Sequence, residues 1–428
     1  MKTKNIFSVA TVMLGLASAV AAPVVSNVTL SQADSRQVTI AYHLEGGPAI
    51  VTYEIFTNGV SVGGQALWRS WGDVNVKVSS GDRTIVWQPR EWNDRFVVDG
   101  SVSVKVTAWA LDNPPDYMAV DLGMPSNRLW FADAASVPLG VTNILYKTDK
   151  LLMRRIHAAG IVWRKDSAQG DEAGHTNTEI MRPVMLTQDY YIGVFQVTCR
   201  QHALIGNPAV GNVGYAEWPK QKPTVNAVRG ASAAGADYDW PTKGHTVDPS
   251  SYIGKLRLYT GIDTFDLPTD AQWDFACMGG DSHTRFGVET IAELTEYAWF
   301  ASSNYTDGRF GPYTDNPTGG SGSSTPTRRF QRVGLLKPNP FGLYDILGNG
   351  SELCLDWYAE GDDYAKPGVL QIDPPGPVTG TVRVVHACSV NHGFDDQRAG
   401  YHIPGMTIGV DYETSYATYR LVCGISAK

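Results

Sequence analysis

Between Pro23 and about Pro138 the chain alternates apolar and polar positions with a period of two. Val38, Ile40 and Tyr42 alternate with Gln37, Thr39 and Ala41, and Val102, Val104 and Val106 alternate with Ser103 and Lys105. Successive side chains of a strand point to opposite faces, so the pattern predicts half-buried antiparallel strands. Asn58-Gly59 and Gly81-Asp82 supply turn residues between such runs. About six or seven short strands in this stretch predict a β-sandwich of immunoglobulin or fibronectin type, with Trp87 and Trp109 filling its core. No catalytic constellation stands out in it.

After a linker-like stretch from Ala134 to Thr148 the pattern changes, which divides the chain into a sandwich over 23–138 and a second domain over 139–428. Here short helices with strong caps are separated by Gly/Ser/Pro loops such as Asn316 to Thr327. In VTCRQHALIG, Thr198 is placed to cap a helix that Gln201 closes from behind and Gly206 ends. LPTDAQWDFACMGG repeats the device with Thr269, Gln272 and Gly279, and Asp270 suits the positive helix end. Such short helices need tertiary packing, here through Trp273 and Phe275. Long loops around a small core also call for a cross-link, either a metal, a disulfide or both.

The first 22 residues read as a signal peptide: Lys2 and Lys4, an apolar run from Ile6 to Ala17, and the cleavage signal Ala19-Val20-Ala21. That predicts an exported protein, periplasmic, cell-surface or extracellular. Removing the two lysines takes the formal charge from −8 to −10, because no acidic residue leaves with them. An acidic surface argues against nucleic acid as a partner. No later run is long and apolar enough for a transmembrane segment. Five cysteines, Cys199, Cys277, Cys354, Cys388 and Cys423, are too few for a disulfide scaffold.

The densest chemistry lies in NPFGLYDILGNGSELCLDWY, Asn339 to Tyr358. Carboxylates bracket Gly348-Asn349-Gly350, where small residues let carbonyl oxygens turn inward, and oxygen-rich loops of this kind suit a hard cation. A hydrogen-bonded turn with solvated carboxylates is the alternative. The segment resembles the N-P-x-G-L-Y-D-M-x-G-N-V-W-E-W signature of the formylglycine-generating enzyme, or sulfatase-modifying factor, family. Other pieces follow in that family's order. RRIHAAGIVW resembles its lead-in, YYIGVFQVTCRQ its M-G-x-Y-E-V-T segment, and LPTDAQWDFACMGG its L-P-T-E-A-E-W-E-Y-A helix. VRVVHACSV and TYRLV resemble R-V-x-R-G-G-S-W and G-F-R.

The resemblance implies a loop-rich α+β domain, a variant of the C-type lectin fold. It implies calcium held by Asp345, Gly348, Gly350 and Glu352, with Asp356 a structural partner of the loop, and a Cys277–Cys423 disulfide. It also implies a copper-binding cysteine pair just after the G-G-S-W segment, since thiolates are the soft ligands that select Cu(I). Counted from Ser389, those two positions are His392 and Gln397, and the nearest thiol is Cys388. Copper is therefore not expected. His386, His392 and His402 are spaced H-x5-H and H-x9-H, which matches no metal pattern, so packed or surface histidines are expected. Ser389 beside a histidine lacks the third group and the strained elbow of a catalytic serine.

Two functions remain open at this point. One is a non-oxidase, calcium-stabilised module that binds a protein or carbohydrate through loop aromatics such as Trp299, Tyr305, Tyr313 and Tyr401. The other is an oxidoreductase converting a cysteine of an exported sulfatase to formylglycine, or performing a related metal-dependent oxidation.

Overall fold

The computed structural model describes residues 22–33, 36–124, 128–165, 182–206, 215–230, 240, 246–280, 283–301, 330–358, 369–386, 388–402 and 416–425. Residues 1–21 of the expected leader, and the loop tyrosines Tyr305 and Tyr313, lie outside them. The described chain is mostly sheet with few helices.

The period-two stretch forms two antiparallel sheets. One contains Val24–Gln32, Val38–Glu45, Gly81–Trp87 and Ser70–Gly72; the other pairs Ala49–Thr57 with Val60–Ser61, Lys77–Val78 and Val102–Trp109. The alternation works as expected: Val38, Ile40, Tyr42 and Leu44 are buried, and they share a core with Val51, Tyr53 and Ile55 of the other sheet. Trp87 is fully buried there, its indole N–H donating to the Ala66 carbonyl at 2.8 Å. Trp109 differs from expectation. It is only partly buried and packs against the core of the following unit, its N–H donating to Thr52 Oγ1.

The change of architecture comes earlier than Pro138. Tyr117–Asp121 and Arg128–Phe131 join a five-stranded sheet in the order Arg128–Phe131, Tyr117–Asp121, Lys150–Ile156, Tyr190–Gly193, Val422–Gly424. Tyr117, Met118, Ala119 and Val120 are all buried, so this strand is covered on both faces and lacks the period-two alternation of the preceding strands. Pairing of Val422–Gly424 with Tyr190–Gly193 brings the end of the chain beside the middle. A smaller sheet carries the signature. Ser351–Trp357, buried at every residue, pairs antiparallel with Arg383–His386 and parallel with Ala417–Thr418.

The helix caps are those expected. Thr269 Oγ1 accepts from Gln272 N at 3.1 Å and Gln272 Oε1 accepts from Thr269 N at 3.0 Å. Thr198 and Gln201 make the same reciprocal pair. The helix Asp270–Met278 ends at Gly279 in the left-handed region, φ 66°, and a Cβ there would meet Pro340 Cδ at 2.7 Å. Glycine thus fits the start of the signature segment against the helix end. No helix among the described residues is long and apolar enough to cross a membrane.

Candidate functional site

The signature segment docks on the helix Asp270–Met278. Asn339 Nδ2 donates to the Ala276 and Cys277 carbonyls at 2.7 and 3.1 Å, taking up acceptors at the helix C-terminus. The loop then turns through Gly348, whose φ is 79° and whose Cβ would strike the Trp299 backbone at 2.6 Å. At Gly350 a Cβ would meet Phe330 and Thr418 at 2.5 and 2.6 Å. Glycine is required by crowding at both positions.

The oxygens of this loop do converge, as the sequence suggests, but on other groups of the chain. Gln196 Nε2 donates to Gly350 O and Glu352 Oε1 at 3.0 Å and to Asp345 O at 3.2 Å. Arg420 is fully buried and grips Glu352 with two bonds, Nη2 to Oε1 at 3.0 Å and Nε to Oε2 at 3.1 Å. Trp273 Nε1 donates to Glu352 Oε2 at 2.8 Å. Both oxygens of the one strong anion in the expected calcium set are therefore engaged, by a guanidinium, an indole and an amide. Gly348, Asp345, Gly350 and Glu352 together do not fit a calcium cradle as they stand. Asp356 does serve the loop structurally: its Oδ2 accepts from Asp270 N at 2.8 Å.

Asp345 is the fourth member of that set. Its Oδ2 accepts from Gly334 N at 2.7 Å, while Oδ1 has no hydrogen-bond partner. Burial raises its carboxyl from the ordinary 3.8 to about 6, against the lowering effect of the Gly334 hydrogen bond. A carboxyl whose folded pKa is raised is held protonated by the native state, so its charge weighs against folding above pH 6 and is relieved as pH falls toward 3.8. Asp345→Asn is expected to stabilise the protein at pH 7.5 by about 2–3 kcal/mol, and the gain should vanish below pH 4. Denaturant unfolding of both proteins across that range measures it. If Asp345 held calcium through its charge, the same substitution would destabilise the protein in calcium-containing buffer.

The positions of the expected copper pair are close together. Ser389 Oγ lies 2.7 Å from His392 Nδ1, and Gln397 Nε2 donates to the Ser389 and His392 carbonyls at 2.9 and 3.2 Å. Ser389 and Gln397 are fully buried. Cys388 is buried too, its Sγ 3.5 Å from the Arg398 carbonyl, and burial pushes its thiol up to about 12. A thiol held that high supplies no thiolate near neutrality. The Cys277–Cys423 bridge is not formed. Both are free thiols, and they belong to different hydrophobic clusters, Cys277 with Trp273 and Phe275, Cys423 with Met118 and Tyr191.

Two of the three histidines expected to be scattered come together. His386 ends the strand Arg383–His386 and bridges to His402, with the imidazole planes 5.0 Å apart centre to centre. Both face Asp270 and Asp274, one turn apart on the same face of the helix. His386 Nε2 is 3.0 Å and His402 Nε2 2.9 Å from Asp270 Oδ1; His386 Nδ1 is 3.6 Å from Asp274 Oδ1. One ligand atom from each residue lies within 4.8 Å of all the others. Burial lowers the pKa of His386 despite the two carboxylates, which favours the neutral ring. Helical D-x-x-x-D spacing in DAQWD was the only local sign of this cluster.

A family model described as the sulfatase-modifying factor enzyme 1-like domain matches residues 167–400, more than half of the chain. The chain belongs to this family. Among curated proteins it is similar to the formylglycine-generating enzyme of Thermomonospora curvata, 35% identical over 118 residues that make 28% of this chain and 36% of that protein. The corresponding enzyme of Streptomyces coelicolor is 33% identical over 123 residues, 29% of this chain and 35% of that one. Serine/threonine-protein kinase pkn1 of Chlamydia pneumoniae is 28% identical over 135 residues, 32% and 17% of the two chains. The chain thus spans about a third or less of the length of these relatives. Among solved structures it is similar to Treponema denticola variable protein 1, at 22% identity and a TM-score of 0.43, covering 64% of this chain and 95% of that one.

This sulfatase-modifying factor domain also has an open cleft of about 470 Å³ away from the serine–histidine–glutamine cluster. Its rim offers Thr187, Gln188, Asp263, Thr264 and Asp373, with Trp240 at one side. Cys423 lines it as well, which sequence reasoning had assigned only to a disulfide. Trp299 and Tyr401, expected as loop-borne ligand aromatics, are not on this cleft; Trp299 is buried in the domain.

Proposed function

We propose that this protein is a non-oxidase member of the sulfatase-modifying factor family, an exported module that binds a hydroxyl-rich ligand. The observation that carries the reading is the pair His392 and Gln397 at the positions where the family's soft metal ligands are expected. Gln397 spends its amide N–H groups on the Ser389 and His392 carbonyls, and the adjacent Cys388 thiol is buried and protonated. A site without a thiolate pair has no basis for selecting Cu(I). The cleft beside Trp240 supports binding, since hydroxyls and carboxylates next to an indole suit the polar edges and apolar faces of sugar rings. The N-terminal two-sheet unit fits an immunoglobulin- or fibronectin-like spacer behind a cleaved leader.

The test is to supply the purified protein with Cu(I) and a cysteine-bearing sulfatase peptide while following oxygen and peptide mass, and to measure oligosaccharide binding to wild type and Trp240→Ala. No oxygen uptake above the metal blank, with binding weakened at least about tenfold by Trp240→Ala, is the expected result. Conversion of the peptide cysteine to an aldehyde would overturn the reading in favour of the oxidoreductase.

A further inference from the structure

We propose that Asp270, Asp274, His386 and His402 form a binding site for one divalent first-row transition metal ion, zinc in the simplest case. The site borders the signature loop, with His386 paired across the strands from Glu352, but it shares no residue with the expected copper pair or the expected calcium set.

The donor set is two imidazoles and two carboxylates, converging from three separate elements. Asp270 and Asp274 come from one helical turn, His386 from a strand end and His402 from the segment that follows Gly400. His386 is fully buried, and neither of its ring nitrogens makes an aligned hydrogen bond, although carboxylate oxygens lie 3.0 and 3.6 Å away. His402 Nε2 does hydrogen-bond Asp270 Oδ1 at 2.9 Å, whereas a fully buried imidazole whose two nitrogens face carboxylate oxygens out of alignment is what a cation between them would organise. Two nitrogen and two oxygen donors suit zinc in four-coordination, where the bonds are about 2.0–2.2 Å. Calcium and magnesium want more oxygens and no imidazole, and Cu(I) wants softer donors.

The surroundings hold these donors in place. Trp273 stacks on His386 with ring centres 3.8 Å apart and planes 11° apart, which fixes the imidazole plane. Gly400 N donates to Asp274 Oδ1 at 2.8 Å, and the capping box of Thr269 and Gln272 fixes the helix start that carries Asp270. Outer partners of this kind orient metal ligands. Burial of Asp270, Asp274 and His386 argues for a structural ion that ties helix, strand and loop together in place of a disulfide, with the partly buried His402, 9% exposed at its side chain, at the point of entry.

The experiment uses the full chain. After stripping with a chelator, zinc is titrated by calorimetry and Co(II) by visible absorption, and thermal unfolding is followed with and without zinc. One equivalent of zinc, a Co(II) spectrum of a four-coordinate site and a zinc-dependent rise in Tm are expected. His402→Ala, at the least buried corner, should lose at least about tenfold in zinc affinity and show a smaller zinc-dependent rise measured from its own metal-free Tm. Asp274→Asn, which keeps size and one acceptor, should also weaken binding. Absence of stoichiometric zinc and cobalt binding to wild type, or equal affinity in His402→Ala and wild type, would overturn the proposal.

Discussion

Arg420→Met is expected to destabilise the second domain by about 3–5 kcal/mol, because it strips the partner from a buried charge. The Arg420 guanidinium reaches five acceptors: both oxygens of Glu352, and the carbonyls of Gly193, Val194 and Tyr344 at 2.7, 3.0 and 2.9 Å. Methionine fills similar space and donates nothing. Glu352 would keep only Trp273 and Gln196, and three carbonyls would be left without this donor. For a domain of this size the loss corresponds to a Tm drop of roughly 10 °C. Arg420→Lys keeps the charge but loses the planar fork, so an intermediate loss is expected. Combining Arg420→Met with Glu352→Leu should recover part of the loss, since removing both members avoids the orphaned charge. Chemical unfolding of the four proteins measures this. A loss below 1 kcal/mol in Arg420→Met would show that the guanidinium does not hold the loop. Calcium added to wild type should leave the ranking unchanged.

What could be read in the chain was local. Alternation at Val38, Ile40, Tyr42 and Leu44 and the reciprocal caps at Thr269–Gln272 and Thr198–Gln201 depend on neighbours within a few residues, and they form as expected. Sheet membership depends on distant partners. Nothing within Tyr117–Phe131 reveals that Lys150–Ile156 will pair with it, so the expected domain boundary fell too late. The signature loop was legible as a place where oxygens converge. Its occupants were not, because Gln196 and Arg420 come from far along the chain in either direction. The histidine cluster failed for the same reason. H-x-type spacing finds ligands that share one helix or loop, whereas His386 and His402 meet carboxylates more than a hundred residues earlier. The expected disulfide likewise joined residues that the sheet order leaves in separate cores.

Trp273→Ala is the second substitution with a large expected effect, and it tests how the signature loop and the metal-ligand cluster depend on one side chain. Trp273 is fully buried, lies face to face with His386 and donates its only N–H to Glu352 Oε2. Alanine removes the packing and leaves a cavity, for which about 3–5 kcal/mol is the usual cost. Trp273→Phe separates the two roles. The phenyl ring retains much of the stacking surface but lacks the N–H, so about 1–3 kcal/mol is expected from the weakened satisfaction of Glu352. Comparing the two by denaturant unfolding divides packing from hydrogen bonding. Zinc affinity adds an independent reading, because the phenylalanine variant keeps an aromatic wall against His386 and should bind zinc nearly as wild type does, whereas alanine frees the imidazole and weakens binding. Equal destabilisation by both substitutions would place the whole effect in the indole N–H and contradict the packing role assigned to the ring.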